Sequence, residues 1–590
     1  MCGIFMLLNN LNNTSSVYKE PNITTQFEKG KGRGPEYSVL CYSGTQTTFG
    51  FHRLAINGLN DGSNQPLIRN NITLICNGEI YNYRELYKMM GSVPETQSDC
   101  EVILHLYERY GIDQTMQMLD GVFAFALLDN RFNSQLDHTP LYVARDPYGV
   151  RPLFQLTDNV DKYTCILGFA SELKMLSGFS SFTDTIAPFP PGHYAKYSLP
   201  HKVLPQWKLD RSVRYHTTGF TSNITWTNNN VFTGNIALIT GNETTLDILD
   251  ELPTIYSNIR RHLTNAVFKR CLTTERPIAC LLSGGLDSSL ITALVSEYHK
   301  INDLPPVETY SIGLQGSEDL KNARIVADYL GTKHTEIILT EKDFINAVPS
   351  VIEAIESYDT TTVRASIGNW LIGKYIREHS QAKVIFNGDG ADELCGGYLY
   401  MGKATDAIEF DRECRRLLSD IHYFDVLRSD RCISCHGLEP RTPFLDRSFV
   451  QQYLAISPEL RFHTLRGQCE KYLLRTAFSY GWFENSKGRS LLPNDVLWRR
   501  KEAFSDGVSG SKDRSLFQVL QEHANSRLEL ENIPPILFIH NTPQTPEQKW
   551  YRSIFENLYP NSSTVIPYFW MPKYVNATDA SARTLAIYKN

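Results

Sequence analysis

Cys2 follows Met1 and precedes Gly3, so removal of the methionine would place a thiol and a free α-amine on one residue. An unperturbed α-amine titrates at roughly pH 7.7–8.0 and can act as general base to its own thiol near neutrality. One cysteine near a chain start is not a site, and its companions decide the reading. Arg53 offers a planar guanidinium suited to a carboxylate. Asn77 and Gly78 offer a side-chain amide and a backbone N–H, the parts of an oxyanion hole. Asp99 offers a carboxylate for an ammonium.

A second chemistry is written at Ser283-Gly284-Gly285-Leu286-Asp287-Ser288-Ser289, between an apolar strand-like run and a helical one. The glycines let the backbone close on an oxyanion, and the following helix would aim free N–H groups and its positive dipole end at it. Ser and Asp side chains would add hydroxyls and an N-cap. The lysine of a Walker-type loop is absent, and no G-x-x-x-x-G-K-[ST] occurs in the chain. A third segment, Asn387-Gly388-Asp389-Gly390-Ala391-Asp392-Glu393, crowds three carboxylates after another strand-like run. Such carboxylates repel unless a cation sits among them, and Mg²⁺ shared with a bound phosphate would suit.

The elements that must hold these residues divide into two styles. The first two hundred residues read as β-rich, with runs such as Ile72–Cys76 and Leu141–Ala144 separated by turn residues. One helix is expected over Cys100–Tyr110, with Asp99 where an N-cap would sit. From Pro188 to about Leu246, Pro, Asn, Thr and aromatics dominate, which suggests a connector with an inserted excursion. Beyond it, strand-like Pro277–Leu282, Thr309–Ile312 and Lys383–Phe386 alternate with helical Asp287–Tyr298 and Leu320–Leu330, the pattern of a parallel α/β sheet. The chain from about Pro493 reads as polar and irregular.

Composition narrows the function. The 590 residues are 42% hydrophobic and 21% charged, globular proportions with material for more than one core. Lys plus Arg number 58 against 64 Asp plus Glu, a net charge of −6, so neither nucleic acid nor an anionic membrane is an expected partner. No apolar run approaches the roughly 18 residues of a spanning helix, and the apolar start lacks the basic leader and cleavage site of a signal peptide. Twelve scattered cysteines suit a reducing compartment, and a cytoplasmic location is expected.

Cys2-Gly3-Ile4, Arg53-Leu54-Ala55-Ile56, Asn77-Gly78-Glu79 and Asp99 resemble class II glutamine amidotransferases, and the Ser-Gly-Gly-Leu-Asp-Ser-Ser loop resembles that of ATP pyrophosphatases. Joined, they resemble the glutamine-hydrolysing asparagine synthetases. The resemblance continues through Tyr358–Ser366, Leu427–Arg431, Pro443–Asp446, Glu470–Arg475, Lys501–Gly507 and Trp570–Lys573. It implies an α/β and α+β chain: an N-terminal-nucleophile hydrolase αββα sandwich over 2–209, a connector over 210–250, and a doubly wound parallel-sheet ATP-pyrophosphatase domain over 251–590. It also implies that Cys2 attacks glutamine, with Arg53, Leu54, Ala55, Ile56, Asn57, Asn77, Gly78, Glu79 and Asp99 around the substrate and Asn77 and Gly78 at the oxyanion. Ammonia would cross a tunnel to a site where ATP adenylates aspartate. There Leu282, Ser283, Gly284, Gly285, Asp287, Ser288, Ile312, Asn387, Gly388 and Lys501 would hold ATP, Asp287 and Asp392 the Mg²⁺, and Asp389 would take part in adenylation. A homodimer is the candidate assembly.

Three departures stand out. The family usually has Ser and Glu where this chain has Asn387 and Asp389, and Pro440 is unexpected. A β-lactam-forming relative would lack the cysteine, and a catalytically dead relative would have lost Cys2, Asp287 or Lys501, yet all three are present. Cys432-Ile433-Ser434-Cys435-His436 fits a haem-attachment pattern, but no second C-x-x-C lies at a spacing that would complete a zinc site, and it is read as coincidence.

Overall fold

A computed structural model describes residues 1–10, 16–43, 46–132, 138–160, 165–179, 185–200, 205–218, 244–499, 515–531, 538–577, 579 and 581. Most of the Asn/Thr-rich stretch therefore lies outside the described residues, as does Lys501.

The first half is built on two antiparallel six-stranded sheets. One runs, in spatial order, β10 (Thr185–Pro188), β8 (Phe154–Asn159), β9 (Cys165–Ala170), β1 (Gly3–Leu8), β3 (Thr47–Arg53) and β2 (Tyr37–Ser43). The other runs β12 (Lys208–Arg214), β11 (His193–Pro200), β7 (His138–Arg145), β6 (Gly121–Asp129), β5 (Ile72–Ile80) and β4 (Leu67–Arg69). Strand β1 is apolar throughout because both its faces are covered, and its side chains separate with period two. Ile4, Met6 and Leu8 enter the layer between the sheets with Ala124, Ala126, Leu141 and Val143. Phe5 and Leu7 point outward, to Ile23 and Phe27 of the helix Glu20–Glu28 and to Phe344, Val348 and Phe555 from the second half. The helices Tyr83–Met90 and Val102–Met118 cover the outer face of the other sheet, completing an αββα sandwich.

The second half carries a five-stranded parallel sheet in the order β15 (Lys333–Leu339), β14 (Glu308–Leu314), β13 (Ile278–Leu281), β16 (Val384–Phe386), β17 (Glu439–Arg441). In chain order this is 3-2-1-4-5, so the winding reverses at β13 and opens a crevice at the carboxyl ends of β13 and β16. Alternate residues again take opposite faces. Cys280, Val384 and Phe386 pack with the helices Leu286–Ile301 and Glu318–Leu330, while Ala279 and Ile385 pack with Ile372, Ile376 and Ile433. Pro440 sits on the edge strand β17, where a missing N–H costs least, and its carbonyl accepts from Arg151 Nη1 at 3.4 Å.

Several local expectations change. Asp99 does not cap the helix after it; it opens a 3₁₀ turn, and its carboxylate accepts instead from Ile80 N at 2.6 Å, because the adjacent strand end supplies a buried donor. That helix extends to Met118 through Gly111, whose φ of 75° interrupts it. The region after Pro493 is not irregular throughout: Leu516–Glu531 and Pro546–Leu558 are helices whose apolar residues cover the outer sheet face. Strand β12 crosses residue 209 and the helix Thr244–Leu272 crosses residue 250, so neither position falls between elements.

Candidate active sites

Cys2 lies at the start of β1, a central strand, with its thiol donating to Leu54 O at 3.6 Å and its carbonyl accepting from Arg33 Nε at 3.0 Å. Burial raises the Cys2 thiol pKa, with the nearby amino terminus and Arg53 opposing the shift. Burial lowers the Met1 amine to about 6, which favours the neutral, basic form of an amine at this place. Ser171 Oγ ties the two sheets here, accepting from Ile4 N at 3.0 Å and from Asn77 Nδ2 at 3.4 Å. Asn77 is fully buried, and its Oδ1 has no hydrogen-bond partner among the described residues. Gly78 could be nothing larger, since a Cβ there would lie 2.6 Å from Val122 O.

The structure thus brings Cys2, Asn77, Gly78 and the loop after β3 to one end of the sandwich. Arg53 is the exception in its contacts. Both its terminal nitrogens are turned to its own loop, donating to Asn57 O, Gly58 O, Asn60 O and Asn64 Oδ1, so the fork holds Leu54, Ala55, Ile56 and Asn57 in place. Asn57 Nδ2 in turn donates to Glu79 Oε2 at 2.7 Å and to Thr273 O at 3.2 Å in the second half. Glu79 is held well above the ordinary carboxylate range by burial and by neighbouring Asp99 and Glu439, against the pull of Arg441. Burial pushes Asp99 up to about 6.

A buried ionic lattice leads from here into the second half. Arg33 pairs with Asp430 at 2.7 Å and Glu172 at 3.5 Å, and Arg151 reaches Asp430 at 3.6 Å and Glu439 at 3.7 Å. Arg441 joins Glu439 at 2.8 Å to Glu79 at 3.4 Å. Sequence reading gave no role to any of these arginines, because each has partners hundreds of residues away.

At the crevice of the parallel sheet lies a cavity of about 250 Å³. Ser283, Gly285, Leu286, Asp287 and Ser288 form one wall, with Leu282 and Ile312 beside them, and Asn387, Gly388 and Asp389 add to the lining. Gly285, not a Ser or Asp, is the N-cap of the helix Leu286–Ile301 and makes no side-chain cap, so the helix begins at the cavity lining without a capping side chain on its first N–H groups. Ser283 and Ser288 brace the loop through their hydroxyls at 3.0 Å. Gly284 turns away from the cavity, against Ala323.

The acidic residues find their cation inside the chain. Lys471 Nζ stands 2.6 Å from Asp287 Oδ2 and 2.5 Å from Asp392 Oδ1, and its side chain is 1% exposed. Its backbone takes the left-handed region at φ 56°, a conformation that costs energy in a non-glycine residue and clusters at functional sites. Gly397 makes room for the pair, since a Cβ there would lie 2.0 Å from Lys471 Cε and 2.1 Å from Asp392 Oδ1. Lys471 is the residue that sequence reading missed: it stood within Glu470–Arg475 with nothing in its spacing to mark it. Two hard carboxylate donors beside a phosphate loop fit Mg²⁺ carried in on a nucleotide. Among the described residues no group of three His, Cys, Asp or Glu could hold a metal unaided.

Asp389 Oδ1 accepts from Arg428 Nη2 at 3.1 Å, while its buried Oδ2 has no hydrogen-bond partner among the described residues. Asn387 Oδ1 accepts from Asp389 N at 3.3 Å, and Asn387 Nδ2 donates to Ser429 Oγ at 2.7 Å. Arg428 and Ser429, adjacent on the helix Asp425–Ser434, therefore grip the loop at both departures from the usual pattern. On the same helix Cys432 donates to Ser366 O at 3.5 Å, and His436 beyond it packs on Trp370 with ring centroids 5.0 Å apart, which are packing contacts.

Known proteins resemble both halves of the chain. A glutamine amidotransferase domain model matches residues 1–206, and an asparagine synthase model matches 258–409 and 405–578. The glutamine-hydrolysing asparagine synthetase of Gallus gallus is 42% identical over 557 residues, covering 92% of each chain. That of Homo sapiens is 40% identical over 552 residues, also 92% of each. A solved NMN synthetase from Francisella tularensis matches 50% of this chain and 98% of its own at 15% identity, with a TM-score of 0.21.

Proposed function

The chain belongs to the family of glutamine-hydrolysing asparagine synthetases, and from that premise we propose how its residues divide the reaction. The enzyme makes L-asparagine from L-aspartate and ATP with nitrogen taken from glutamine. In the sandwich, the Cys2 thiolate, deprotonated by its own α-amine once Met1 is removed, adds to the glutamine side-chain carbonyl. Asn77 Nδ2 and Gly78 N–H take the oxyanion, ammonia leaves, and water releases glutamate from the γ-glutamyl thioester. Asp99 receives the substrate ammonium, and Arg53 receives its carboxylate in exchange for a loop carbonyl.

In the parallel-sheet half, a side-chain carboxylate oxygen of aspartate attacks the α-phosphorus of ATP and pyrophosphate leaves. Ammonia then displaces AMP from the β-aspartyl-adenylate. Leu282, Ile312, Asn387 and Gly388 surround the base, while Ser283, Gly285, Ser288 and Lys501 attend the phosphates and Gly284 serves them through the turn it gives the loop. Asp287 and Asp392 would hold Mg²⁺, which when bound supplies neutralising charge to the pyrophosphate. The observation that carries the reading is Lys471 between Asp287 and Asp392 beneath a phosphate loop without the Walker lysine, a place prepared for a leaving pyrophosphate. The test is product analysis with aspartate, glutamine and Mg-ATP. One AMP, one pyrophosphate and one glutamate are expected per asparagine, and ADP with inorganic phosphate would overturn the mechanism.

Asp389 carries a narrower expectation. Its carboxylate is one methylene shorter than the family's usual glutamate, and misplacement by about 1 Å can cost on the order of a hundredfold. The Arg428 and Asn387 contacts support the view that its surroundings compensate. Asp389→Asn should lower aspartate-dependent pyrophosphate release by about a hundredfold while sparing glutaminase activity, and Asp389→Glu should keep substantial activity. Wild-type synthesis by Asp389→Asn would transfer the role to Asp392 or Glu393. A cytoplasmic location is supported by twelve cysteines that are all free. A homodimer rests on the resemblance alone, and sedimentation velocity would test it.

A further inference from the structure

The wall of the synthetase cavity is completed by residues that come late in the sequence. Trp570, Pro572 and Ser581 line the same cavity as the phosphate loop, although they follow it by nearly three hundred residues. Two anchors hold them there. Trp570 N donates to Asp359 Oδ1 at 2.7 Å, and the other oxygen of Asp359 caps the helix Thr360–His379 at Thr362 N, 2.8 Å away. One turn into that helix, Arg364 grips Asp579 with a bidentate fork, Nη1 to Oδ1 at 2.7 Å and Nη2 to Oδ2 at 3.0 Å. Arg364 is 3% exposed and itself lines the cavity, as do Thr361 and Thr362. Between the anchors, the Trp570 ring packs on Tyr398 and Tyr400 at 5.6 and 6.1 Å, two further lining residues.

We propose that Trp570, Pro572 and Ser581 form a working wall of the adenylation site, that Asp579 is the positioning residue that docks it through Arg364, and that its task is to keep water from the aspartyl-adenylate. The proposal rests on reading this cavity as the synthetase site. An acyl-adenylate exposed to water is cleaved at its acyl–oxygen bond: water adds oxygen to the acyl carbon, AMP leaves, aspartate is regenerated and no asparagine forms. An aromatic wall on the cavity that holds the phosphate loop would limit that loss. Glu547 shares Arg364, accepting from Nε at 2.9 Å and from Nη2 at 2.5 Å, so weakening Asp579 does not leave the buried guanidinium without a counter-charge.

The experiment compares full-length Asp579→Asn and a chain ending at Pro567 with wild type and with Asp389→Asn, measuring AMP and asparagine together at saturating ammonium. The expected result for Asp579→Asn is an AMP-to-asparagine ratio at least threefold above wild type and a raised KM for aspartate, with glutamine hydrolysis at Cys2 unchanged. The truncated chain should show the same uncoupling more strongly. If it fails to fold because Trp570 leaves its packing, the Asp579→Asn result stands alone. A wild-type ratio and KM in Asp579→Asn would overturn the proposal. Asp389→Asn should lose AMP and asparagine together, and ADP with inorganic phosphate from the wild type would instead overturn the reading of the cavity, so the two failures are distinguishable.

Discussion

Cys2→Ala should abolish glutamine hydrolysis, by at least about a thousandfold, and leave asparagine formation from added ammonium salts within about twofold of wild type. The contrast follows from where the atoms lie. The thiol contacts Leu54 O in the sandwich, while the groups around the cavity come from the loops after β13 and β16 and from Lys471. Alanine keeps the backbone carbonyl that Arg33 Nε holds at 3.0 Å, so the lattice between the halves should survive the change. Retention of Met1, read by intact mass, should mimic the variant, since the base is then no longer on Cys2. Loss of ammonia-dependent synthesis in a folded Cys2→Ala protein would show the division of labour to be wrong.

Lys471→Met should be as damaging on the other side, with pyrophosphate release from ATP and aspartate falling by at least about a hundredfold and glutaminase activity retained. Removing one partner of a buried pair leaves uncompensated charge and costs about 3–5 kcal/mol where burial is complete. Asp287 and Asp392 are 14% and 16% exposed, so water and bound cations would relieve part of that, and the fold should persist. Lys471→Arg should not rescue, because Gly397 clears room for one slim ammonium and a fork would meet the same backbone. Thermal unfolding alongside product assay separates the two effects. Pyrophosphate release at the wild-type rate in folded Lys471→Met would move the role to Lys501.

Much of the molecule was legible because local rules and the global fold agree. The period-two and period-3.6 runs after Pro277 gave a parallel sheet, and the Ser283–Ser289 loop sits between β13 and its helix as its glycines required. What escaped was tertiary. Asp99 read as an N-cap because capping is a local rule, yet a strand end offered its carboxylate a buried N–H. Arg53 read as an open fork because nothing in its neighbourhood reveals that the loop carbonyls behind it fill the fork. Lys471 and Asp579 gave no signal at all: a lone charge has no period, and their partners lie 184 and 215 residues away.

The ionic lattice has a consequence for how the protein is made. Arg33 is separated from Asp430 by 397 residues of chain. At about 5–20 residues per second, a nascent chain spends on the order of 20–80 s with that guanidinium synthesised and Asp430 not yet joined to it, leaving Glu172 as its acidic partner from the same half. Arg151 waits likewise for Asp430 and Glu439. The amino-terminal sandwich therefore leaves the ribosome with one flank unfinished, Phe5 and Leu7 having the helix Glu20–Glu28 but not the later helices that carry Phe344, Val348 and Phe555. Its vulnerability to aggregation is greatest during those seconds of translation, and ends when the last helix arrives.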